Sequence, residues 1–409
     1  MNPFFRKLGA AIHDQWKLSD FSPSAFPQIA SEALRKSPPS RHIRIRDLIR
    51  DFLHEDDQPF QTLSGFGQPE LILFDHPRFY IQALFWLDGT TDIHQHTFSG
   101  AFHVMAGSSL HSCFRFEDRK MVTSHLHLGK LVRESTDLLE TGTTVPILSG
   151  NSCIHSLFHL DTPSVTIVVR THNDPGSDPQ FTYLPPCVAI DPVHQDPLTL
   201  RRKQLLDVLE RTEDPSYGKE VLAMIRELDL ESGFLILQNG ISILKQTGDW
   251  DGIWTVFSKK HGRAAAGLAE TLEEILRRDA LTAMRGHVED PEHRFFLALM
   301  MNMQERSEIL SMIRARTGTD PVRTVIRWAG ELLTETPEGT WILDAACPQL
   351  RGVHAEDQAD LFLEALSHFL CGGKPSGRLA ALPTTVRRAL NASLANSSWG
   401  RLAATDKGV

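Results

Sequence analysis

The chain has 409 residues, more than one domain of the usual size, so two or three domains are expected. Its 41% hydrophobic and 23% charged residues are typical of a globular protein, and its net charge of −9 disfavours nucleic acid or an anionic membrane as partner. No apolar run approaches the roughly 20 residues that span a bilayer, and we expect no secretory signal. The five cysteines are scattered without a CxxC pair, which indicates a reducing cytoplasm and excludes a cysteine-based zinc module.

The predicted elements begin with short helices that proline interrupts. Apolar residues recur at helical spacing over residues 3–17, 24–35 and 44–54, and the sequence Ser-Pro-Pro-Ser at 37–40 separates the last two. We therefore expect an N-terminal helical segment over residues 1–58.

From residue 59 to 197 the chain changes to short runs rich in Phe, Val, Ile, Thr and Gly. Predicted strands cover 71–74, 79–87, 102–105, 110–116, 120–128 and 165–171, and glycine, proline or Asx residues separate them. Short strands at close spacing are typical of an antiparallel sandwich or barrel. The proline-rich stretch 185–197 predicts a linker.

The pattern is helical after residue 198. Predicted helices cover 200–211, 219–228, 264–278, 291–316, 321–333 and 357–370, and Asp320 before Pro321 predicts an N-cap. We find no phosphate-binding glycine loop, nucleophile elbow or Cys/His cluster in this half. We expect residues 198–409 to form a separate all-α domain. Its role stays open between a lid, a homodimer interface and a docking surface for a carrier or partner protein.

Histidines carry the chemical signal, because eleven of the 19 lie between His76 and His194. Alternate side chains of a strand share a face, so His94 and His96 point the same way, about 6 to 7 Å apart, while Gln95 faces away. This spacing lets both imidazoles reach one metal ion at about 2.1 Å. The third ligand must come from elsewhere, and His155 follows a Gly/Pro-punctuated turn that leads into another strand.

The order of glycine, four residues, His-x-His and then a Pro/Gly turn leading to His155 resembles the two motifs of the cupin superfamily. The first motif resembles most the thiol dioxygenase (cysteine dioxygenase-like) branch, in which Trp and an acidic-Gly turn precede Ile-His-x-His-Thr. Trp86, Asp88-Gly89 and residues 93–97 fill that pattern here. The resemblance extends over residues 79–171, under a quarter of the chain.

The resemblance implies an α+β fold with a cupin-type antiparallel β-barrel or sandwich over residues 59–197. It also implies His94, His96 and His155 as metal ligands. The general cupin pattern adds a glutamate ligand where this chain has Gly100 and Ala101, a difference shared with the thiol dioxygenases. The cysteine–tyrosine crosslink of the mammalian enzymes cannot form here. Their serine–histidine–tyrosine relay is replaced by Thr166, Val168 and Arg170, which disfavours cysteine itself as the substrate.

A site with three neutral imidazoles leaves the full +2 charge on its metal and favours an anionic, bidentate substrate. Fe(II) suits oxygen chemistry, while zinc, manganese, nickel and copper also accept these ligands. We predict a cytoplasmic, non-haem iron oxygenase or dioxygenase that acts on a small anionic substrate and O₂. The alternatives are a metal- or ligand-sensing cupin whose helical domain binds a partner without turnover, and a metal-free scaffold.

Three further residues are candidates for catalytic roles. The strand parity leaves His103 facing either into the barrel, as an acid or base, or out of it. His159 shares the predicted face of His155 and either supports the site or is a hydrogen-bonded core residue. Arg170 either anchors a substrate carboxylate with its planar guanidinium or forms a salt bridge on the outer face.

We expect the remaining polar residues near the motifs to have structural roles. Asp92 is expected in a turn or as a residue that orients a ligand imidazole, and a ligand role for it stays open. His125 and His127 repeat the His-x-His spacing on the predicted strand 120–128, but no third histidine accompanies them. We interpret them, with His111 and His172, as residues of solvated strand faces.

Overall fold

The computed structural model describes residues 2–54, 57–62, 66–335, 355–372, 375 and 377–403. Contacts divide the chain into two compact units. Unit 1 comprises Met1–Leu157 with Pro163–Leu276, and unit 2 comprises Phe158–Thr162 with Arg277–Val409. This division differs from the boundaries expected after residues 58 and 197, which stay predictions.

The N-terminal helices form where the sequence predicts them. They are α1 (Pro3–Lys17), α2 (Phe26–Lys36), α3 (Pro39–His42) and α4 (Ile45–His54). The Asn2 side chain caps α1 by accepting a hydrogen bond from the Phe4 amide at 3.0 Å. Apolar side chains of α1 and α2 are buried against one face of the adjoining sheet, and among them are Phe5, Ile12, Trp16 and Phe26.

Eleven strands occur among the described residues. They are β1 (Glu70–His76), β2 (Phe79–Trp86), β3 (His94–His96), β4 (Gly100–Ala106), β5 (Ser108–Met121), β6 (Leu126–Glu140), β7 (Thr144–Ile147), β8 (Gly150–His159), β9 (Ser164–Thr171), β10 (Thr182–Leu184) and β11 (Val188–Ile190). One sheet has the order β1-β2-β9-β4-β7, and the other six strands close in the order β10-β11-β6-β5-β8-β3. The pairings between these strands are antiparallel.

Strand alternation separates the two faces of the five-stranded sheet. On β2 and β9, Ile81, Ala83, Ile167 and Val169 pack in the core with the N-terminal helices. The intervening residues of the same strands line a cavity, and they are Tyr80, Gln82, Leu84, Trp86, Thr166, Val168 and Arg170. The period of two therefore decides which side chains of these strands can reach a ligand.

The prediction of one continuous strand over residues 120–128 is wrong, because a turn interrupts it. β5 ends at Met121 and β6 begins at Leu126, and residues 122–125 form the turn between them. The Thr123 hydroxyl closes this turn by accepting hydrogen bonds from the amides of His125 at 3.1 Å and Leu126 at 3.0 Å. His125 lies in this turn, whereas His127 is buried on β6 beside Phe181. The two histidines therefore do not form a second metal-binding pair.

Helices follow the strands, with bounds α5 (Pro197–Arg211), α6 (Tyr217–Glu227), α7 (Leu230–Thr247), α8 (Trp250–His261), α9 (Leu268–His287), α10 (Pro291–Asn302), α11 (Arg306–Thr317), α12 (Pro321–Gly330), α13 (Ala355–Cys371), α14 (Gly377–Ala381), α15 (Thr384–Asn396) and α16 (Gly400–Ala403). The sequence did not predict α7 and α8, and it merged α10 with α11. The predicted N-cap is confirmed, since the Asp320 carboxylate accepts from the amides of Val322 and Arg323. None of the described helices has the length and apolarity needed to cross a membrane.

The helices up to Leu276 share a core with the barrel in unit 1. Leu126 of β6 and Val188 of β11 are fully buried together with residues of α5 to α9, including Phe234 and Leu237. In unit 2, Trp399 packs against Phe296 and Phe362 at ring centroid distances of 5.5 Å. The expected α+β class is confirmed: an antiparallel β-barrel follows the N-terminal helices, and the C-terminal region is helical.

Candidate metal centre

The three predicted ligands come together. His94 and His155 are paired residues of the neighbouring strands β3 and β8, and His96 follows on the same face of β3. One ligand atom of each side chain lies within 4.8 Å of the other two, and all three residues are buried. No fourth His, Cys, Asp or Glu joins this group among the described residues.

Hydrogen bonds orient two of the three rings. His94 Nδ1 lies 2.8 Å from the backbone oxygen of Asp92, and His155 Nδ1 lies 2.8 Å from Nε2 of His111. Donation from Nδ1 leaves Nε2 of each ring with a free electron pair for a metal. Nε2 of His96 lies 2.8 Å from Nε2 of His155, so one of these two nitrogens carries the proton of a hydrogen bond between the rings.

Two buried ring nitrogens of this group lack a hydrogen-bond partner. They are Nε2 of His94 and Nδ1 of His96. Buried polar atoms are nearly always paired, so unpaired nitrogens in a cluster of ligands point to a bound ion or molecule. The donor set of three imidazoles also suits a divalent transition metal, and the residues therefore fit one.

Burial keeps the imidazoles uncharged. Desolvation lowers the pKa of His94 below its usual value and the pKa values of His96 and His155 well below it. All three rings are therefore neutral at pH 7, which is the protonation state that binds a metal.

The polar residue between the two ligands of β3 holds that strand in place. Gln95 faces away from the rings of His94 and His96, as expected. Its amide donates to the Pro179 carbonyl at 2.7 Å and accepts a hydrogen bond from the Tyr183 hydroxyl at 2.5 Å. These contacts fix the short strand from the side opposite to the histidines.

The position of the usual cupin glutamate is sterically closed. A Cβ atom added to Gly100 would lie 2.0 Å from the backbone oxygen of Val169, so β4 and β9 approach too closely for a side chain there. Ala101 faces the other side of the sheet, in the core with the N-terminal helices. Asp92 is exposed and orients His94 through its backbone carbonyl, which matches the expected supporting role.

The three histidines face a cavity of about 260 Å³. Most of its wall is apolar and aromatic, with a few polar residues. The remaining lining residues are Thr62, Phe66, Glu70, Tyr80, Gln82, Leu84, Trp86, Thr91, Phe98, Phe102, Ile147, Leu157, Thr166, Val168, Arg170 and Gln180. Such a concave, largely apolar site with convergent polar groups is typical of a small-molecule pocket.

Arg170 lies in the wall of this cavity, on the face that the predicted anchoring role would require. Its guanidinium stacks on the Phe98 ring with 3.3 Å to the centroid, and Phe98 also contacts the His96 ring at 4.4 Å between centroids. Backbone oxygens of Thr171 and His172 accept from its Nε at 3.2 Å and Nη2 at 3.1 Å. Among the described residues this leaves about three of its five N–H groups for a ligand. Burial lowers the pKa of Arg170.

The structure does not bring His103 to the metal ligands. Its side chain lies on the outer face of β4, where Nε2 is 2.9 Å from the Ser40 hydroxyl and Nδ1 is 2.8 Å from the Thr144 hydroxyl. The outward alternative for this residue therefore holds. Its Nε2 contacts helix α3 and its Nδ1 contacts β7. It is not a lining residue of the cavity.

His159 lies at the end of β8, in the short segment that belongs to unit 2. Its backbone oxygen accepts two hydrogen bonds from the buried Arg285, at 3.1 Å from Nε and 2.8 Å from Nη2. Burial lowers the pKa of its imidazole to about 3. It is not among the residues that line the described cavity, so its contacts favour the core interpretation.

His111 is the residue that the sequence analysis missed. It was interpreted as part of a solvated strand face, but it is 5% exposed and contacts His155 through β5. Burial lowers its pKa to about 4. The alternation of β5 tells which residues share a face with His111, but it does not tell which face is buried. The adjacency of β5 to β8 is a long-range pairing that no local pattern encodes.

No protein-family model and no curated protein matches the sequence. Solved structures that resemble part of the chain include a cupin-2 domain protein from Shewanella frigidimarina, with 13% identity over 32% of this chain and 94% of that chain and a TM-score of 0.20. KdgF from Halomonas sp. has 13% identity over 29% of this chain and 89% of that chain, with a TM-score of 0.20. A structure from work on the DMSP lyases RdDddP and RnDddQII has 16% identity, covers 38% and 76% of the two chains and has a TM-score of 0.23.

Proposed function

We propose that the protein is a metal-dependent oxygenase of cupin type, in which His94, His96 and His155 hold one Fe(II) ion and a small anionic substrate binds beside it. The observation that carries this proposal is the convergence of three buried, neutral imidazoles on the wall of an apolar cavity. A bound iron ion would supply Lewis acidity and electron exchange with dioxygen.

Arg170 gives the cavity its affinity for an anion. The guanidinium is held flat against Phe98, so it is preorganised and pays little side-chain entropy when it binds a carboxylate or another oxyanion. Phe98 contacts both Arg170 and His96, so an anion bound to the guanidinium would lie beside the proposed metal position. The aromatic wall of Trp86 and Phe102 excludes water around the reacting groups.

The motif resemblance supports an oxygenase of the thiol dioxygenase type over a non-redox cupin reaction. The closed glutamate position at Gly100 agrees with a three-histidine site. No residue equivalent to the serine–histidine–tyrosine relay lies on β9, where Thr166, Val168 and Arg170 face the cavity. We therefore propose a substrate other than cysteine, and we keep the cytoplasmic location as a prediction.

The test is anaerobic reconstitution with Fe(II), followed by elemental analysis and oxygen consumption with a panel of small carboxylates, sulfonates and thiols. The proposal expects close to one iron per chain and substrate-dependent oxygen uptake. Less than about half an equivalent of metal after reconstitution would contradict it. Tight binding of zinc or manganese in place of iron would favour a non-redox reaction such as an isomerisation.

A metal- or ligand-sensing role is the second candidate, and one packing feature favours it. The barrel residues Leu126 and Val188 are buried in the same core as helices α5 to α9, so a change in the barrel can alter the helical surface. This function predicts ligand-dependent association, with a second copy or a partner protein, without turnover. Sedimentation with and without metal and ligand, alongside the oxygen assay, separates it from the enzyme.

A further inference from the structure

One amide in the cavity wall has an unpaired oxygen. Gln82 is 2% exposed, and its Oε1 atom has no hydrogen-bond partner. It lies on β2 with its side chain in the cavity lining, between Tyr80 and Leu84. A buried amide oxygen that leaves water without a new partner is costly, and such groups are rare away from ligand sites.

The position of Gln82 relative to the proposed anion anchor follows from the strand register. Gln82 pairs with Val168 of β9, and Tyr80 pairs with Arg170. Gln82 and Arg170 are therefore diagonal neighbours on the cavity face, at about 7 to 8 Å between their Cα atoms. The side chains are long enough to contact the two ends of one small molecule.

The two groups recognise opposite chemistry. A guanidinium only donates hydrogen bonds and binds an oxyanion, whereas the unpaired Oε1 of Gln82 only accepts. One polar group next to Gln82 is already paired, since the Thr166 hydroxyl accepts from the indole of Trp86 at 3.4 Å. Among the described lining residues, Oε1 of Gln82 is the buried side-chain oxygen that has no partner.

We propose that Gln82 is a specificity residue, which accepts a hydrogen bond from a hydroxyl or amino group of the anionic substrate that Arg170 holds. This inference rests on the proposed function, because it assigns the chemical class of the molecule that binds at the same site. The substrate is then a small anion with a hydrogen-bond donor a few bonds from its anionic group. An analogue in which a methyl group replaces the donor leaves Oε1 unpaired and binds more weakly.

The first experiment needs no ligand. Gln82→Leu keeps the volume of the side chain and removes its polar atoms, so the full-length variant is expected to melt at the same temperature as the wild type or higher. Thr166→Val is the matched control on the facing strand, and it should melt lower because its hydroxyl is paired. A fall in the melting temperature of Gln82→Leu as large as that of the control would show a structural hydrogen bond and overturn the proposal.

The second experiment compares two acids of similar shape, 3-hydroxybutanoate and 3-methylbutanoate, by calorimetric titration of the zinc-loaded protein. The wild type is expected to bind the hydroxy acid about tenfold more tightly. In Gln82→Leu the two affinities should become equal within about twofold, whereas Arg170→Met should weaken both acids and keep their ratio. An unchanged ratio in Gln82→Leu, no preference in the wild type, or no binding of either acid would overturn the proposal.

Repeating the titration without metal distinguishes this failure from failure of the proposed function. If the protein does not bind a metal, elemental analysis shows this directly. The ratio of the affinities for the two acids still tests whether Gln82 determines specificity. If the metal binds but the ratio does not depend on residue 82, the metal centre stands and the specificity assignment fails.

Discussion

His111 Nε2 lies 2.8 Å from His155 Nδ1, and both imidazoles are buried. When the unprotonated Nε2 of His111 accepts this hydrogen bond, the proton of the neutral His155 ring lies on Nδ1. This leaves Nε2 of His155 facing the other two ligands. His111 on β5 is therefore placed to set the tautomer and the ring orientation of a proposed metal ligand on β8.

Replacement of His111 should weaken metal binding without removing a ligand. We expect His111→Phe, which cannot accept the proton of His155, to lower metal affinity by about 10- to 100-fold. His111→Gln places an amide oxygen within reach of Nδ1 and should recover part of the loss. Competition with a chelator for zinc or cobalt measures both affinities. Equal affinities of the wild type and His111→Phe would contradict the orienting role.

Single alanine substitutions of His94, His96 and His155 should each abolish stoichiometric metal binding, since two imidazoles alone form a much weaker site. His127→Ala is the matched control, because His127 is a buried barrel histidine that lies outside the cluster. We expect the control to keep its metal and each ligand variant to lose at least about tenfold in affinity. Elemental analysis after desalting measures the content. Equal metal in ligand variants and control would exclude the site.

Arg170→Met should impair the binding of an anionic substrate and leave the metal content unchanged. The guanidinium supplies charge-assisted hydrogen bonds, so its loss should raise the KM or the dissociation constant of the anion by about 10- to 100-fold. The methionine side chain keeps most of the contact with Phe98. Steady-state kinetics or calorimetry gives the change. Unaltered anion binding with normal metal content would remove Arg170 from the site.

Local patterns in the sequence were sufficient to predict which residues lie at the centre of the site. The period of two places His94 and His96 on one face, and it places Arg170 with Thr166 and Val168 towards the cavity once β9 is known. The same period left two orientations for His103. The outward one holds because Ser40 of the N-terminal helices and Thr144 of β7 supply its partners, and neither contact is visible in the sequence.

Tertiary packing of one helix and a local side-chain contact in one turn explain two features that the sequence did not predict. Helix α7 is buried on several sides, at Phe234, Ile236, Leu237 and Ile241, so its apolar residues do not form the single stripe of a surface helix. The turn between β5 and β6 depends on the Thr123 hydroxyl and interrupts a run of residues with high strand propensity. Both features are decided by contacts and not by local composition.

The stability of the protein should fall in mild acid because of His103. Its ring is buried between the hydroxyls of Ser40 and Thr144, and burial lowers its pKa to about 4, whereas an unfolded histidine titrates at about 6.5. Above pH 6.5 neither state binds the proton, so His103 does not affect the pH dependence. Between pH 6.5 and 4 the unfolded chain is protonated and the folded chain is not, and stability decreases as the pH falls.

The expected loss from this residue is about 2 kcal/mol by pH 4, after allowance for solvent screening. His103→Asn removes the titrating group, so its stability should decrease less between pH 7 and pH 4.5 than that of the wild type. Urea unfolding at several pH values measures both slopes. The difference between the two proteins at pH 7.5 reports the packing and hydrogen bonds lost by the substitution, and only the difference in slope reports the proton. Parallel curves would mean that His103 binds its proton equally well in the folded and unfolded chains.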